Sequence, residues 1–183
     1  PLNLYASTKR SNELMAHSYS HLYQIPITGL RFFTVYGPWG RPDMAPFIFT
    51  DAIFKRKKIK IFNNGNMQRD FTFIDDIVEG VFRCCQKPAS NDKISNDFQI
   101  KAPFKIFNIG NGCPIKLMDF IKYLEDATGI KAQKEFLDMQ PGDVAETWAS
   151  TKKLKNWIDY SPTTSIKDGL GLLVEWYKNY YSI

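Results

Sequence analysis

The chain has 183 residues, a formal net charge of +5 and an aromatic content of 15% in an otherwise ordinary globular composition. This length allows one domain with a substantial core and at most a small second lobe. No apolar run reaches the roughly 18 residues that a membrane span requires, and the first residues lack the basic and apolar segments of a secretory signal. We therefore expect no membrane partner.

Part of the positive charge lies in the run Lys55-Arg56-Lys57-Lys58. A basic run can bind phosphates or nucleic acid, but this one has no interleaved aromatic residue and no nucleic-acid motif. Cations also suit the C-terminal end of a helix, where they face the negative end of the helix dipole. We interpret the run as a solvated helix end and expect no nucleic-acid partner.

The cysteines and histidines indicate neither a disulfide framework nor a metal site. Cys84, Cys85 and Cys113 are expected to be reduced structural thiols in the cytoplasm. No cysteine or histidine group has the spacing of zinc ligands. His17 and His21 lie four residues apart without a further ligand in the sequence nearby, so we interpret them as surface or dimer-interface residues.

The first predicted element is a helix over residues 3–23, with Asn3 as its N-cap and apolar residues near helical spacing. The β-rich run 27–33 predicts a buried strand. Residues 37–42 are expected to form a loop, because two prolines and two glycines interrupt them. The next predicted helix covers residues 45–57.

The rest of the chain continues to alternate between strands and helices. The remaining predicted strands are 59–62, 69–73, 104–109 and 133–137, and the remaining predicted helices are 75–86, 117–128, 151–158 and 166–181. Residues 88–103 are polar and bounded by prolines, which indicates a surface loop. The alternation indicates an α/β or α+β fold. No glycine-rich βα turn or P-loop is present, so this chain alone is not expected to hold a dinucleotide well.

One short motif suggests proton-transfer chemistry. Tyr5 and Lys9 lie four residues apart, which places a phenol and an ammonium on one helical face. A nearby cation favours the phenolate form of a tyrosine, and such a group can take a proton from a hydroxyl while hydride leaves its carbon. The bare Tyr-x-x-x-Lys pattern is common by chance. Its context is more specific, because a strand that ends in Tyr-Gly-Pro at 36–38 follows at the right distance.

Several long segments share a pattern with one enzyme family. In chain order they are YASTK (5–9), LRFFTVYGPWGRPDM (30–44), RDFTFIDDI (69–77), FNIGN (107–111) and QPGDV (140–144). Together they resemble the nucleotide-sugar epimerases among the extended short-chain dehydrogenases/reductases. The subgroup that they resemble is UDP-glucuronate 4-epimerase, including capsule-type bacterial members.

The resemblance spans nearly the whole chain and implies the C-terminal part of such an enzyme, with an α/β fold. Residues 1–44 would be a remnant of the NAD-binding Rossmann domain, containing the catalytic helix and the strand after it. Residues 45–183 would form a small mixed α/β domain that binds the nucleotide sugar. The enzyme would invert C4 of UDP-glucuronate or UDP-galacturonate through a 4-keto intermediate, with bound NAD as cofactor. The isolated chain is expected to be inactive, because the nucleotide-binding half would be missing.

The resemblance also implies a role for each matching position. Tyr5 would be the catalytic base and acid, with Lys9 beside it on the nicotinamide ribose. Phe32 and Phe33 would lie by the nicotinamide. Thr34 and Arg41 would contact the sugar carboxylate, for which an arginine fork is well suited. The alternative for Arg41 is a solvated loop arginine.

Three further positions would bind the nucleotide. Arg69 would bind the diphosphate. The alternative for Arg69 is a salt bridge to Asp75 or Asp76. Phe62 would pack near the uracil, and its alternative is an ordinary core aromatic. Asp143 would hold the uridine ribose. Gln140 stands where many family members carry a second phosphate-binding arginine, which makes diphosphate binding more dependent on Arg69.

Two rival functions stay open at this stage. A dehydratase or decarboxylase of the same family would share the Tyr5 and Lys9 pair. Alternatively, the chain would serve only as a nucleotide-sugar-binding or assembly module. The family also uses its Tyr-Lys helix in a dimer interface, so the resemblance implies a homodimer.

Overall fold

The computed structural model describes residues 1, 3–90, 102–140 and 143–183. Helices and short strands alternate along these residues, with a turn of 3₁₀ helix at Phe62–Gly65. The helices are α1 (Leu4–Tyr23), α2 (Ala45–Phe54), α3 (Ile74–Gln86), α4 (Leu117–Thr128), α5 (Lys152–Ile158) and α6 (Ile166–Tyr181). The strands are β1 (Ile27–Phe32), β2 (Thr34–Tyr36), β3 (Lys58–Ile61), β4 (Gln68–Arg69), β5 (Phe71–Phe73), β6 (Phe104–Ile109), β7 (Ile115–Lys116) and β8 (Gln133–Phe136). The α/β fold is confirmed.

The strand that begins at Ile27 changes its pairing partner halfway along. Strand β1 pairs in parallel with β6, in a register that ends with Phe32 opposite Ile109. Strand β2, which continues the same chain direction, pairs in parallel with β5. The backbone N–H of Phe33, between β1 and β2, donates to the carbonyl of Ile109 at 3.1 Å. This change of partner opens the sheet where β1 and β6 end.

The prediction of one strand over residues 69–73 is wrong, because the segment divides at Asp70. Strand β4 before it pairs antiparallel with β7, whereas β5 after it pairs in parallel with β2. The Asp70 side chain is fully buried and accepts hydrogen bonds from loop backbone groups. A charged side chain buried in this way requires such partners, and the strand is interrupted where they meet it.

The apolar residues form two separate clusters. The larger cluster connects α2, α4 and α6 with β3 and β5, and its most deeply buried members are Ile53, Ile59, Ile61, Phe120, Ile121, Leu124, Leu170 and Leu173. The smaller cluster connects α3 and α5 with β6, and consists of Ile77, Cys84, Phe107, Ile109, Leu154 and Ile158. Tyr36 and Phe73 belong to the larger cluster, while Leu30 packs against the smaller one. The partner change along 27–36 therefore connects the two cores.

Helix α1 is capped as predicted but packs weakly. The Asn3 side chain accepts a hydrogen bond from the backbone N–H of Ala6 at 2.8 Å. Ser20 is the one fully buried residue of this 20-residue helix. Large apolar side chains stay exposed along α1, namely Leu4, Tyr5, Leu14, Met15, Tyr19, Leu22 and Tyr23. No helix in the described parts of the chain is long and apolar enough to cross a bilayer.

Five of the six predicted helices are confirmed to within one residue, and α2 is shorter than expected. It ends at Phe54 rather than at residue 57, because Arg56 adopts a left-handed backbone conformation with φ 53°. Residues 55–58 are exposed, as the interpretation of a solvated helix end requires.

Most of the predicted surface loop at 88–103 lies outside the described residues. The predicted domain boundary between residues 44 and 45 stays a prediction. Strand β1 lies before this boundary and pairs with β6, which lies after it.

Candidate functional site

The structure brings five of the predicted site residues around one cleft. Tyr5, Phe32, Phe33, Thr34 and Arg41 all line a cavity of about 840 Å³. Helix α1 supplies Tyr5, and the loop after β2 supplies Arg41. Phe32 ends β1, Thr34 begins β2, and Phe33 lies between these two strands. The cleft therefore lies where β1 and β6 end and the sheet opens. Openings of this kind are the usual location of ligand sites in α/β sheets.

Tyr5 and Lys9 meet on the first turns of α1. The Lys9 Nζ atom lies 5.5 Å from the centre of the Tyr5 ring, as expected for residues one helical turn apart. The Tyr5 side chain is 69% exposed, so its phenol is open to a ligand in the cleft. The pair is placed as the sequence predicts, and its catalytic role stays a prediction.

Arg41 presents its guanidinium group at the cleft, and this group forms an ion pair with Asp43. Arg41 Nε donates to Asp43 Oδ1 at 3.0 Å, and Arg41 Nη2 donates to Asp43 Oδ2. The hydrogen bond that Arg41 donates to Asp43 raises the pKa of Arg41, and the same bond lowers the pKa of Asp43. Both side chains are exposed. An anionic ligand that reaches Arg41 would thus compete with a neighbouring carboxylate for the same two N–H groups.

The loop that carries Arg41 is fixed by backbone constraints and by aromatic contacts. Gly37 has φ 139°, and a Cβ there would overlap Ile74, so only glycine fits. Trp39 has φ 61°, a conformation that costs a non-glycine residue roughly 1–2 kcal/mol. Its ring lies 5.4 Å from Trp176 and 5.3 Å from Tyr180 of α6, centre to centre. Each such aromatic pair contributes about 0.5–1.5 kcal/mol, which offsets the backbone cost.

Tyr36 lines the same cleft but differs from Tyr5 in its surroundings. It is 3% exposed, and α6 approaches it so closely that a Cβ at Gly169 would overlap its hydroxyl. Burial raises the pKa of the Tyr36 phenol well above its ordinary value of 10.0, with smaller contributions from Asp76 and Asp168. Tyr36 is therefore a neutral wall of the cleft and a poor candidate for the proton acceptor.

Asp70 fastens two loops at the edge of the cleft. Its carboxylate accepts hydrogen bonds from the backbone N–H groups of Asn111 at 3.0 Å, Gly112 at 2.9 Å and Ala149 at 2.9 Å. Its backbone carbonyl accepts from the N–H of Thr34 at 3.2 Å. One fully buried residue thus joins the cleft strand, the loop after β6 and the segment before α5. The sequence analysis did not identify Asp70, although a carboxylate directly before a strand with Phe71 and Phe73 was a visible signal.

Arg69 and Asp143 form a second group, separate from the lining of the cleft. Arg69 Nη2 donates to Asp143 Oδ1 at 3.0 Å, and Arg69 Nη1 donates to the carbonyl of Ala145 at 3.1 Å. The alternative that Arg69 pairs with Asp75-Asp76 is wrong. The two residues predicted to bind adjacent parts of a nucleotide therefore lie side by side, about 74 positions apart in sequence.

Asp76 and Phe62 take structural positions. The Asp76 carboxylate accepts hydrogen bonds from Tyr160, Thr163 and Thr164, and ties α3 to the segment before α6. Burial alone would raise the pKa of Asp76, but these hydrogen bonds outweigh it, so the net shift is downward. Phe62 is half-buried against the larger core cluster, as its alternative interpretation expects. Its predicted contact with uracil stays untested.

A parallel α/β sheet that opens beside a Tyr-x-x-x-Lys helix is typical of the short-chain dehydrogenase/reductase class. The chain matches the model of the NAD dependent epimerase/dehydratase family over residues 1–110. It belongs to that family.

Individual relatives agree with the resemblance to UDP-glucuronate 4-epimerases. Protein CapI of Staphylococcus aureus is 54% identical over 99% of this chain and 56% of that protein. UDP-glucuronate 4-epimerase 4 of Arabidopsis thaliana is 44% identical over 100% of this chain and 43% of that protein. The solved structure of UDP-glucuronic acid 4-epimerase from Bacillus cereus, in complex with UDP-glucuronic acid and NAD, is 36% identical. It has a TM-score of 0.85 over 99% of this chain and 54% of that chain. The chain thus spans about half the length of the relatives it matches.

Proposed function

We propose that this chain forms the C-terminal part of an NAD-dependent UDP-glucuronate 4-epimerase. The observation that carries the proposal is the cleft, which is lined together by five residues to which the family resemblance gives site roles. Relatives named for this activity match the chain over nearly its full length. The reaction inverts C4 of UDP-glucuronate or UDP-galacturonate.

Tyr5 is the group that takes the proton from the C4 hydroxyl and later returns it. Its exposed phenol faces the cleft, and the Lys9 ammonium lies one helical turn away, 5.5 Å from the centre of the ring. The apolar rings of Phe32 and Phe33 fit a flat nicotinamide at this end of the cleft, where the Phe32 ring is 55% exposed. NAD, when bound, supplies the acceptor and the source of the transferred hydride. Phe32 and Phe33 also limit the access of water to the reacting carbon.

Thr34 and Arg41 recognise the carboxylate of the uronate. Both line the cleft, and Arg41 already holds one carboxylate, that of Asp43, in a two-point arrangement. A sugar carboxylate that replaces Asp43 would receive the same pair of charge-assisted hydrogen bonds. Asp43 keeps the guanidinium oriented until the substrate arrives.

The nucleotide binds beyond the cleft, at Arg69 and Asp143. The guanidinium of Arg69 would bind the diphosphate, and Asp143 would accept hydrogen bonds from the ribose hydroxyls. Their ion pair at 3.0 Å holds both groups in place. Phe62 is proposed to pack against the uracil, on the strength of its half-buried position after β3.

Several further expectations belong to this proposal. The chain divides into a Rossmann part at 1–44 and a substrate-binding part at 45–183. The exposed apolar side chains of α1 support a homodimer in the complete enzyme. The free thiols of Cys84, Cys85 and Cys113 support a reducing cytoplasmic location.

A fusion protein tests the proposal directly. The N-terminal part of the S. aureus relative would precede Pro1 of this chain, since the two sequences correspond over 99% of it. We expect this fusion enzyme to convert UDP-glucuronate into UDP-galacturonate, measured by chromatography of the two nucleotide sugars. Tyr5→Phe should lower turnover roughly 10²–10⁴-fold, the usual contribution of a positioned acid-base group. Tyr23→Phe, at the other end of α1, is the matched control and should lose less than about twofold.

The outcome that contradicts the proposal is also specific. A folded fusion enzyme that leaves UDP-glucuronate unchanged, or one that Tyr5→Phe does not slow, would overturn it. The 183-residue chain alone, incubated with NAD and UDP-glucuronate, is expected to form no UDP-galacturonate. Product from that incubation would refute the claim that the site needs a further nucleotide-binding part.

A further inference from the structure

The segment 145–149 contains a single β-bridge and no helix or longer strand. Hydrogen bonds nevertheless hold most of its residues in place. The carbonyl of Ala145 accepts from Gln68 N–H at 2.9 Å, and Thr147 N–H donates back to the Gln68 carbonyl at 3.2 Å. Trp148 Nε1 donates to the carbonyl of Gly112 at 3.1 Å. Ala149 N–H donates to the buried carboxylate of Asp70 at 2.9 Å. Irregular backbone held this firmly indicates that the position of one of its side chains matters.

Thr147 is the residue of this segment that reaches the cleft. Its side chain is half-buried, and its hydroxyl oxygen accepts a long hydrogen bond of 3.4 Å from the backbone N–H of Asp70. That contact orients the oxygen and leaves the hydroxyl proton available. Within the described ranges, no acceptor is found for this proton.

The remaining polar groups of the cleft come from a distant part of the chain. Tyr5, Thr34 and Arg41 lie within the first 41 residues, whereas Thr147 arrives more than 100 positions later. A sugar ring carries hydroxyl oxygens around its whole edge, so groups from one stretch of chain leave part of that edge unmatched. A fixed hydroxyl donor from a second stretch would match another oxygen of the ring.

We propose that Thr147 binds the sugar of the nucleotide-sugar substrate, by donating a hydrogen bond from its hydroxyl to a sugar oxygen. The inference rests on the proposed function, because it needs a nucleotide sugar in the cleft. It extends that function by adding a specificity-determining residue from the segment that Asp70 fastens. A merely structural Thr147 would instead serve only to accept the bond from Asp70 N–H.

A pair of variants in the fusion enzyme separates these roles. Thr147→Val removes the hydroxyl and keeps the shape, while Thr147→Ser keeps the hydroxyl and removes a methyl group. We expect Thr147→Val to lower kcat/KM for UDP-glucuronate about 10-fold or more, the effect of one lost hydrogen bond to substrate. Thr147→Ser should lose much less. The inhibition constant of UDP, which has no sugar at this end, should stay within about twofold in both variants.

The possible results point in different directions. If Thr147→Val retains the kcat/KM of the unmodified fusion enzyme, the proposal is wrong. If UDP inhibition weakens by the same factor as kcat/KM, Thr147 acts through the nucleotide site or the fold, and the proposal is equally wrong. Absence of turnover in the unmodified fusion enzyme would instead reject the proposed function itself. Thermal unfolding of each variant confirms that both are folded before the comparison is made.

Discussion

Helices α1 and α6 contact the rest of the molecule in opposite ways. Helix α6 has 16 residues and buries a continuous stripe, namely Gly169, Leu170, Leu173, Val174 and Tyr177. Helix α1 has 20 residues and buries one serine. Hydrophobic burial gives most of the stability of a helix in a protein, so α6 is part of the core while α1 depends on its cap and on an ion pair.

This difference means that Arg41 and Tyr5, which line the same cleft, are held by different parts of the structure. The loop with Arg41 is fastened to α6 through Trp39, Trp176 and Tyr180. Tyr5, the proton-transfer residue of the proposed function, lies on α1. The wall of the cleft that contains Arg41 is therefore rigid in this chain. The wall that contains Tyr5 is expected to become rigid when α1 gains a partner surface.

Asp70 fastens β2 to the loop after β6 and to the segment before α5, so its loss should have the largest effect on stability. Asp70→Ala leaves one buried and two part-buried N–H groups without an acceptor, at about 1–3 kcal/mol for a buried group. We expect the free energy of unfolding in urea to fall by roughly 3–6 kcal/mol. Asp75→Ala, at the exposed start of α3, is the matched control and should cost about 1 kcal/mol or less. Equal losses in the two variants would show that the Asp70 contacts do not hold β2 and these two loop segments together.

The contrast between the helices itself can be tested with two leucines. Leu124 of α4 is fully buried against the core that α6 completes, and Leu14 of α1 is 60% exposed. Leu124→Ala should destabilise the chain by about 2–5 kcal/mol, because it leaves a cavity. Leu14→Ala should change the unfolding free energy by about 0.5 kcal/mol or less. A large loss at Leu14 would mean that α1 is covered in solution, for example by a second copy of the chain.

The smallest expected effect concerns the ion pair that attaches α1 to β1. Arg31 donates to both carboxylate oxygens of Glu13, at 2.6 and 2.7 Å. These hydrogen bonds lower the pKa of Glu13 from 4.5 to about 2, against a smaller opposing effect of burial. A lowered pKa in the folded state stabilises the fold above pH 4.5, and the contribution is lost as the pH falls toward about 2.

Glu13→Gln checks this pH dependence. The variant should melt roughly 1–3 °C below the unmodified chain at pH 6, a size typical of exposed ion pairs. The difference should shrink below pH 4.5 and vanish near pH 2. Glu146→Gln changes an exposed carboxylate that belongs to neither α1 nor β1; it provides the comparison and should show no such trend. A difference that is constant across this pH range would exclude ionisation of Glu13 as its cause.

The sequence predicted the regular elements well, because most of them carry strong local signals. Asn3 caps α1, Gly129 ends α4 in a left-handed conformation, and the carboxylates of 75–76 begin α3. Five of the predicted site residues also gather at one cleft, since the family motifs keep them in fixed order along strands and loops. Periodicity and caps are local properties, and a sequence displays them directly.

The parts that were not predicted depend on contacts between distant segments. The interruption at Asp70 arises from loops that lie 41 and 79 positions away. Thr147 lies in a segment without periodicity, and nothing in the sequence places it at the cleft. The shorter α2 depends on the left-handed Arg56, a conformation for which an arginine gives no signal. Such features follow from the packing of the whole chain.

The central claim is that the rigid wall of the cleft recognises a uronate through Arg41. In the fusion enzyme, Arg41→Ala should lower kcat/KM for UDP-glucuronate roughly 10–100-fold, as expected for lost charge-assisted hydrogen bonds. The inhibition constant of UDP-glucose, which has no carboxylate on its sugar, should change less than about threefold in this variant. The control Arg56→Ala, at an exposed position just after α2, should leave both kcat/KM and this inhibition constant unaltered. Equal losses for UDP-glucuronate and UDP-glucose with Arg41→Ala would contradict carboxylate recognition at this cleft.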